Sequence, residues 1–236
     1  TVASRRYMMQ KHLIDENPFA KKALANISTF DIDALYNLKI DEGYSTSYIR
    51  KLHQMLNQAL EQAKKWKKIA DNPVKDASPP SLKKAEMKIW SFQNIHSFLA
   101  QCKEEWHLMT FMLAIYTGMR RGEILGLKWS DIDFNKKVIH VNRSLAYLPG
   151  KGYMLSTLKT KNAKRLIPIS NHLASALLSQ RNQQLEWKKR LGALYEDHDL
   201  VICTRTGTMQ DPQNILRAMK RIIEAADVPA IRFHDL

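Results

Sequence analysis

The stretch "DNPVKDASPP", residues 71–80, constrains this chain most, because it combines turn formers with three prolines that no helix can run through. The chain therefore folds in two parts, with residues 76–82 as the linker between them. Before this break, Ile49, Leu52, Leu56, Ala59, Ala63, Trp66 and Ala70 recur at intervals of three and four and share one helical face. Ser45 or Thr46 suits the N-cap of that helix, and Thr29 or Asp31 suits the cap of a shorter one carrying Ile32, Leu35 and Leu38. Residues 3–14 form another apolar-patterned segment. Residues 1–75 are thus expected to form a small all-helical bundle. Its polar faces carry Arg50, Lys51, Lys64, Lys65, Lys67 and Lys68, which suit a phosphate backbone and equally an ordinary solvated face.

After the break the pattern mixes two periods. Residues 87–101 and 104–116 have helical spacing, with Trp90, Ile95, Phe98, Leu108, Phe111, Met112 and Ile115 available for a core. "VIHVNR" (138–143), "YMLST" (153–157) and "RLIPI" (165–169) are short β-branched runs separated by "PGKG" and "KTKNAK". They predict a three-stranded antiparallel sheet. Helical pattern returns over residues 172–191 and 214–226. The fold class is mainly α with a small antiparallel sheet, an α+β arrangement.

Charge narrows the partner. The 236 residues hold 37 Lys and Arg against 23 Asp and Glu, a formal charge of +14, and both parts of the chain are basic. Such a balance suits contact with a polyanion, and double-stranded DNA is the leading choice. No apolar stretch approaches the roughly 20 residues needed to span a bilayer, and no signal pattern opens the chain, so a cytoplasmic protein without a membrane partner is expected. Cys102 and Cys203 stand far apart without His or Cys at ligand spacing, so neither a metal site nor a disulfide framework is expected. We read both as buried thiols.

Three basic stations stand out. Arg120 follows an apolar helix and a glycine, in "YTGMRRGEILGLKWSDID" (116–133), which reads as a half-buried position. Burying a guanidinium is costly unless it is paired or meets an anion, and its fork of donors matches a carboxylate or a phosphate. Glu123 lies one turn on and can hold one edge of it; Arg121 is expected to face solvent or DNA. The second station, "LKTKNAKRLIP" (158–168), places Lys159, Lys161, Lys164 and Arg165 on a basic turn between strands, where lysines reach an external ligand or merely solubilise. His234 is the third.

Taken in order, "TGMRRGEILGLKWSDID", "LKTKNAKRLIPI" and "VPAIRFHDL" resemble the tyrosine recombinase family, specifically the phage-type integrases of bacterial mobile elements. The resemblance covers essentially the whole chain. It implies that residues 1–75 are a SAM-like helical core-binding domain, and that residues 83–236 are a catalytic domain cut short. It makes Arg120 the first catalytic arginine with Glu123 supporting it, Lys159 the hairpin lysine and His234 the histidine of the His-x-Leu-Arg motif. Lys161 is the alternative to Lys159, which is preferred because it ends a strand. Arg50, Lys51, Lys64, Lys65, Arg121, Lys161, Lys164 and Arg165 are the expected DNA contacts.

The activity implied is site-specific DNA recombination. A tyrosine hydroxyl attacks a phosphodiester, leaving a 3′-phosphotyrosyl link and a free 5′-hydroxyl, and a second strand's hydroxyl reverses the step. No metal, nucleotide or other cofactor enters. Arginines then stabilise the charge that grows on the phosphoryl oxygens, and an ammonium protonates the leaving alkoxide. The full-length enzyme is expected to assemble as a homo-tetramer on DNA, and the fragment to be a monomer away from it. The departure from the family comes at Leu236, before the family's second arginine and tyrosine nucleophile. All eight tyrosines precede His234. We therefore expect a fragment that binds DNA without cleaving it, or alternatively a non-catalytic DNA-binding accessory or competitor protein.

Overall fold

The computed structural model describes residues 2–82, 89–102, 106–148, 150–157 and 164–236. The chain divides into two compact units, Thr1–Glu86 and Met87–Leu236, and each has its own apolar core.

In the first unit, helix α1 (Val2–Met9) runs into a wider turn at Gln10–Asp15 and is followed by α2 (Thr29–Asp41) and α3 (Thr46–Lys65). The cap of α2 is Ser28, one residue before the expected Thr29, and Asp31 takes part from inside the helix. The Ser28 hydroxyl accepts from the Asp31 N–H, and the Asp31 carboxylate accepts from the Ser28 N–H at 2.9 Å, a reciprocal cap. The buried face of α2 is Ile32, Leu35, Tyr36 and Lys39, with Leu38 turned outward. Lys39 is buried because its ammonium donates to Glu42 at 2.8 Å and Glu16 at 3.3 Å.

Helix α3 is capped by Ser45, whose hydroxyl accepts from the Tyr48 N–H. It buries Ile49, Leu52, Leu56, Leu60 and Ala63, so Leu60 takes the place expected for Ala59. The expected stripe does not reach Trp66 and Ala70, because the helix ends at Lys65 and Lys67 turns to a left-handed φ of 56°. Beyond it, Val74 and Ala77 enter the first core. The Ser78 N–H donates to Asp33 and the Arg50 guanidinium to the Pro80 carbonyl, so residues 77–80 of the expected linker lie on the first unit.

The second unit begins with α4 (Phe92–Gln101), which Ser91 and Asn94 cap reciprocally, and continues with α5 (Leu108–Thr117) and the short α6 (Arg121–Leu125). Met109 through Ala114 are all buried, which puts α5 in the middle of the core. Strands β1 (Ile132–Asp133), β2 (Val138–Val141), β3 (Arg143–Leu148), β4 (Gly152–Thr157) and β5 (Arg165–Pro168) follow, then helices α7 (Asn171–Leu191) and α8 (Pro212–Ala225).

The three-stranded antiparallel sheet has a different membership from the expected one. Its order is β1-β2-β5, while "YMLST" belongs to β4, which pairs with β3 in a separate antiparallel ribbon. The run "VIHVNR" breaks at Asn142, because the buried Asp131 carboxylate accepts from both the Asn142 amide and the Arg143 guanidinium. That anchor turns the chain out of one sheet and into the other. Cys102 and Cys203 are both buried. No described helix is long and apolar enough to cross a membrane.

Candidate functional site

The site is built on the junction between α5 and α6. Gly118 closes α5 in the left-handed region at φ 61°, and its N–H donates to the Ala114 carbonyl. A residue with a Cβ adopts that conformation only at a cost, which explains glycine here. Thr117 sends its hydroxyl to the Leu113 carbonyl and accepts from the Met119 N–H. Met119 is buried, and Arg120 is extended (φ −66°, ψ 146°) as the residue before α6. "TGMR" is thus a compact device for ending one helix and starting another, with the Arg120 side chain at the seam.

Arg120 is not half-buried as the sequence suggested. Its side chain is 69% exposed, whereas that of Glu123 is 2% exposed. The carboxylate, not the guanidinium, takes the costly position, and four donors satisfy it. Glu123 Oε1 accepts from Arg120 Nη1 at 3.0 Å and from Arg165 Nη1 at 3.2 Å. Its Oε2 accepts from the Arg120 backbone N–H at 3.0 Å and from Arg165 Nη2 at 2.8 Å. Burial pushes the Glu123 carboxyl up, but the bonds from Arg165 and Arg120 outweigh it and hold the group below the usual carboxylate range.

His234 comes to the same place from the far end of the chain. It lies on a short turn, Phe233–Asp235, fixed by a fork between Arg232 and Asp235, with both contacts at 2.8 Å. Phe233 is buried in the core and mounts the turn. Arg120, Arg165, Gly118, Met119, His234 and Leu236 line one open pocket of about 570 Å³. Two guanidinia and an imidazole around one small opening suit an oxyanion chemically, although both terminal nitrogens of Arg165 are engaged by Glu123.

The other expected contacts are scattered. Lys159 and Lys161 lie outside the described residues, and Lys164 is exposed. Arg121 turns back to donate to the Pro212 carbonyl at 3.4 Å and is partly buried. Lys64 pairs with Asp71 at 2.6 Å, and Arg50 is held by Pro80, whereas Lys51 and Lys65 are exposed. Sequence reasoning put Arg165 among the DNA contacts and missed its grip on Glu123. It also missed the Arg232–Asp235 fork, for which the three-residue spacing was the available signal. No group of His, Cys, Asp and Glu among the described residues is arranged to hold a metal ion.

A family profile described as the phage integrase family matches residues 88–236. The chain belongs to that family. A tyrosine recombinase XerC-like protein of Caldanaerobacter subterraneus subsp. tengcongensis is 32% identical over 227 residues, covering 89% of this chain and 58% of the relative. The ICEBs1 integrase of Bacillus subtilis is 26% identical over 234 residues, covering 98% and 62% respectively. The chain therefore spans about three fifths of the length of these integrases. Among solved structures, the Tn1549 transposon integrase in complex with a circular intermediate DNA matches with a TM-score of 0.82 at 17% identity, over 99% of this chain and 77% of that one. A lambda integrase dimer bound to a core site matches with a TM-score of 0.63 at 19% identity, over 99% and 82%. These last two likenesses are ones of fold.

Proposed function

We propose that this chain is part of a site-specific DNA recombinase, an integrase of a mobile element, which breaks and rejoins DNA through a 3′-phosphotyrosyl intermediate. The observation that carries this reading is the pocket lined by Arg120, Arg165 and His234, with both arginines held by the saturated Glu123 carboxylate. Arg120 takes the scissile phosphate. Its side chain is anchored by one nitrogen to a buried carboxylate and lines the pocket, where it stabilises charge on the phosphoryl oxygens without reorganising. His234 hydrogen-bonds the same phosphate and takes part in proton transfer, and Lys159 protonates the leaving 5′-oxygen. The lambda integrase tetramer bound to a Holliday junction supports a four-protomer assembly for the whole enzyme. The first unit serves as the core-binding domain, with Lys51 and Lys65 exposed toward a phosphate backbone.

A polypeptide of these 236 residues, monomeric by itself, binds duplex DNA and does not cut it. Binding weakens steeply as salt rises, because each neutralised phosphate releases condensed counterions. A titration of duplex against salt tests this: undetectable binding at low salt sinks the proposal. In the whole enzyme, Arg120→Ala abolishes strand cleavage while leaving site binding within a few-fold. Parallel loss of cleavage and folding would instead make Arg120 a structural residue.

A further inference from the structure

We infer that Arg165 is a positioning residue for the reaction, acting through Glu123 to keep the Arg120 charge available to the phosphate; this rests on the phosphate-binding role proposed for the pocket. Arg120 and Glu123 alone form a neutral pair. Bonded to the arginine that lines a pocket meant for an anion, a buried carboxylate would repel the ligand and cancel the guanidinium assigned to it. The addition of Arg165 changes that balance. Its fork takes both Glu123 oxygens, at 3.2 and 2.8 Å, and leaves the three-residue cluster with a formal charge of +1.

The geometry divides the labour between the two arginines. Arg165 commits both terminal nitrogens to Glu123, and its side chain is only 32% exposed. Arg120 commits one terminal nitrogen, is 69% exposed and lines the pocket. Arg165 is therefore not an interchangeable phosphate contact. It fills the two acceptor sites that Arg120 leaves over, and it does so from a fixed mount. Arg165 opens β5, and its backbone is paired with Val141 of β2 in the central sheet, while Glu123 sits in α6. The fork ties sheet to helix at the point where Arg120 emerges.

The test uses inorganic phosphate as the probe and the 236-residue polypeptide, with the Arg120 side-chain N–H resonance reporting occupancy of this pocket. Three variants are compared: Arg165→Gln, Arg165→Lys, and Arg165→Gln combined with Glu123→Gln. Loss of one unit charge a few ångströms from the anion should weaken phosphate binding by roughly tenfold in Arg165→Gln. Arg165→Lys, which keeps the charge, should stay within about threefold of the parent. The double variant, in which the carboxylate is also neutral, should recover most of the loss. Recovery on removing a second native residue is a result that a merely structural role does not give. Parent-like affinity in a folded Arg165→Gln overturns the inference, as does a Lys variant as weak as the Gln variant. Should Arg165→Gln fail to fold, the folded Lys and double variants decide by the same affinities. If the parent protein itself shows no phosphate-dependent shift at Arg120, the failure lies with the phosphate-binding role.

Discussion

At the scale of the residue, Glu123 organises the site. It is the buried charge, it closes the start of α6 by accepting the Arg120 N–H, and it joins two arginines from different elements. Replacing it by alanine removes four charge-assisted bonds and leaves the Arg120 N–H without its acceptor. The two guanidinia still reach water, so the cost is less than that of stranding a buried ion, about 2–3 kcal/mol. Chemical denaturation of Glu123→Ala against the parent measures it; a change below about 0.5 kcal/mol would show the cluster to be dispensable for folding. The pH dependence has a defined direction. The folded carboxyl titrates below its ordinary value of 4.5, so its contribution to stability is present above that pH and is lost as pH falls through the lower folded value. Acid unfolding of the Glu123→Gln variant should therefore show a shallower loss of stability below about pH 4.5 than the parent.

At the scale of the element, the helices and their caps were largely legible, because apolar spacing and Ser or Asn caps are local signals. Ser45 caps α3 as its sequence suggested, and Ile49, Leu52, Leu56 and Ala63 lie on its core face as expected, whereas α5 buries the unbroken run from Met109 to Ala114 rather than a stripe. Departures came where a distant partner decided the outcome. Lys39 completes the buried face of α2 because Glu16 and Glu42 neutralise it, a pairing that no period in α2 reveals. Strand runs were found, but their pairing was not, since Asp131 bends the chain at Asn142 from outside the run. At the candidate site, Arg120, Glu123 and His234 were singled out by motif and the fold brings them near one another, while the grip of Arg165 on Glu123 is a contact across 42 residues of chain that no motif shows. The glycines of "RRGEILG" carry a further element-level constraint. A Cβ at Gly126 would stand 3.0 Å from the Leu145 nitrogen and 3.1 Å from the Ser144 carbonyl carbon, and one at Gly122 would stand 2.9 Å from the Leu145 oxygen. These contacts are backbone to backbone, so α6 lies directly against β3 and the neighbour cannot rotate away. Gly126→Ala should destabilise the second unit by about 1–3 kcal/mol by overpacking. It should also weaken phosphate binding at Arg120, because α6 carries Glu123. A thermal scan and the phosphate titration check both; an unchanged melting temperature would mean that α6 shifts freely on β3.

At the scale of the whole molecule, two separate cores imply two unfolding events rather than one. The core of the second unit joins residues from Trp90 to Phe233, so the two ends of that unit are held together, and the Trp90 indole N–H donates to the Pro229 carbonyl at 2.7 Å. The first unit buries a histidine beside the Lys39 ion pairs. His12 is buried against the rings of Tyr44 and Tyr48, and its Nδ1 is 3.3 Å from a Glu16 oxygen without hydrogen-bond alignment. Burial holds the imidazole below its ordinary value of 6.5, and the nearby Lys39 ammonium adds to this against the opposing Glu16. The unfolded chain therefore takes up a proton first as pH falls. His12 contributes stability fully above about pH 6.5, and the contribution is lost as pH drops through the lower folded value. Lowering pH from 7 to 5 should accordingly shift the transition of the first unit to lower temperature more than that of the second. Intrinsic fluorescence separates the events, since Trp66 reports the first unit while Trp90, Trp106, Trp129 and Trp187 report the other. Replacing His12 by Gln, which does not titrate, should flatten the shift of the first transition. Equal pH sensitivity in parent and His12→Gln proteins would show that His12 does not carry the acid response of the first unit.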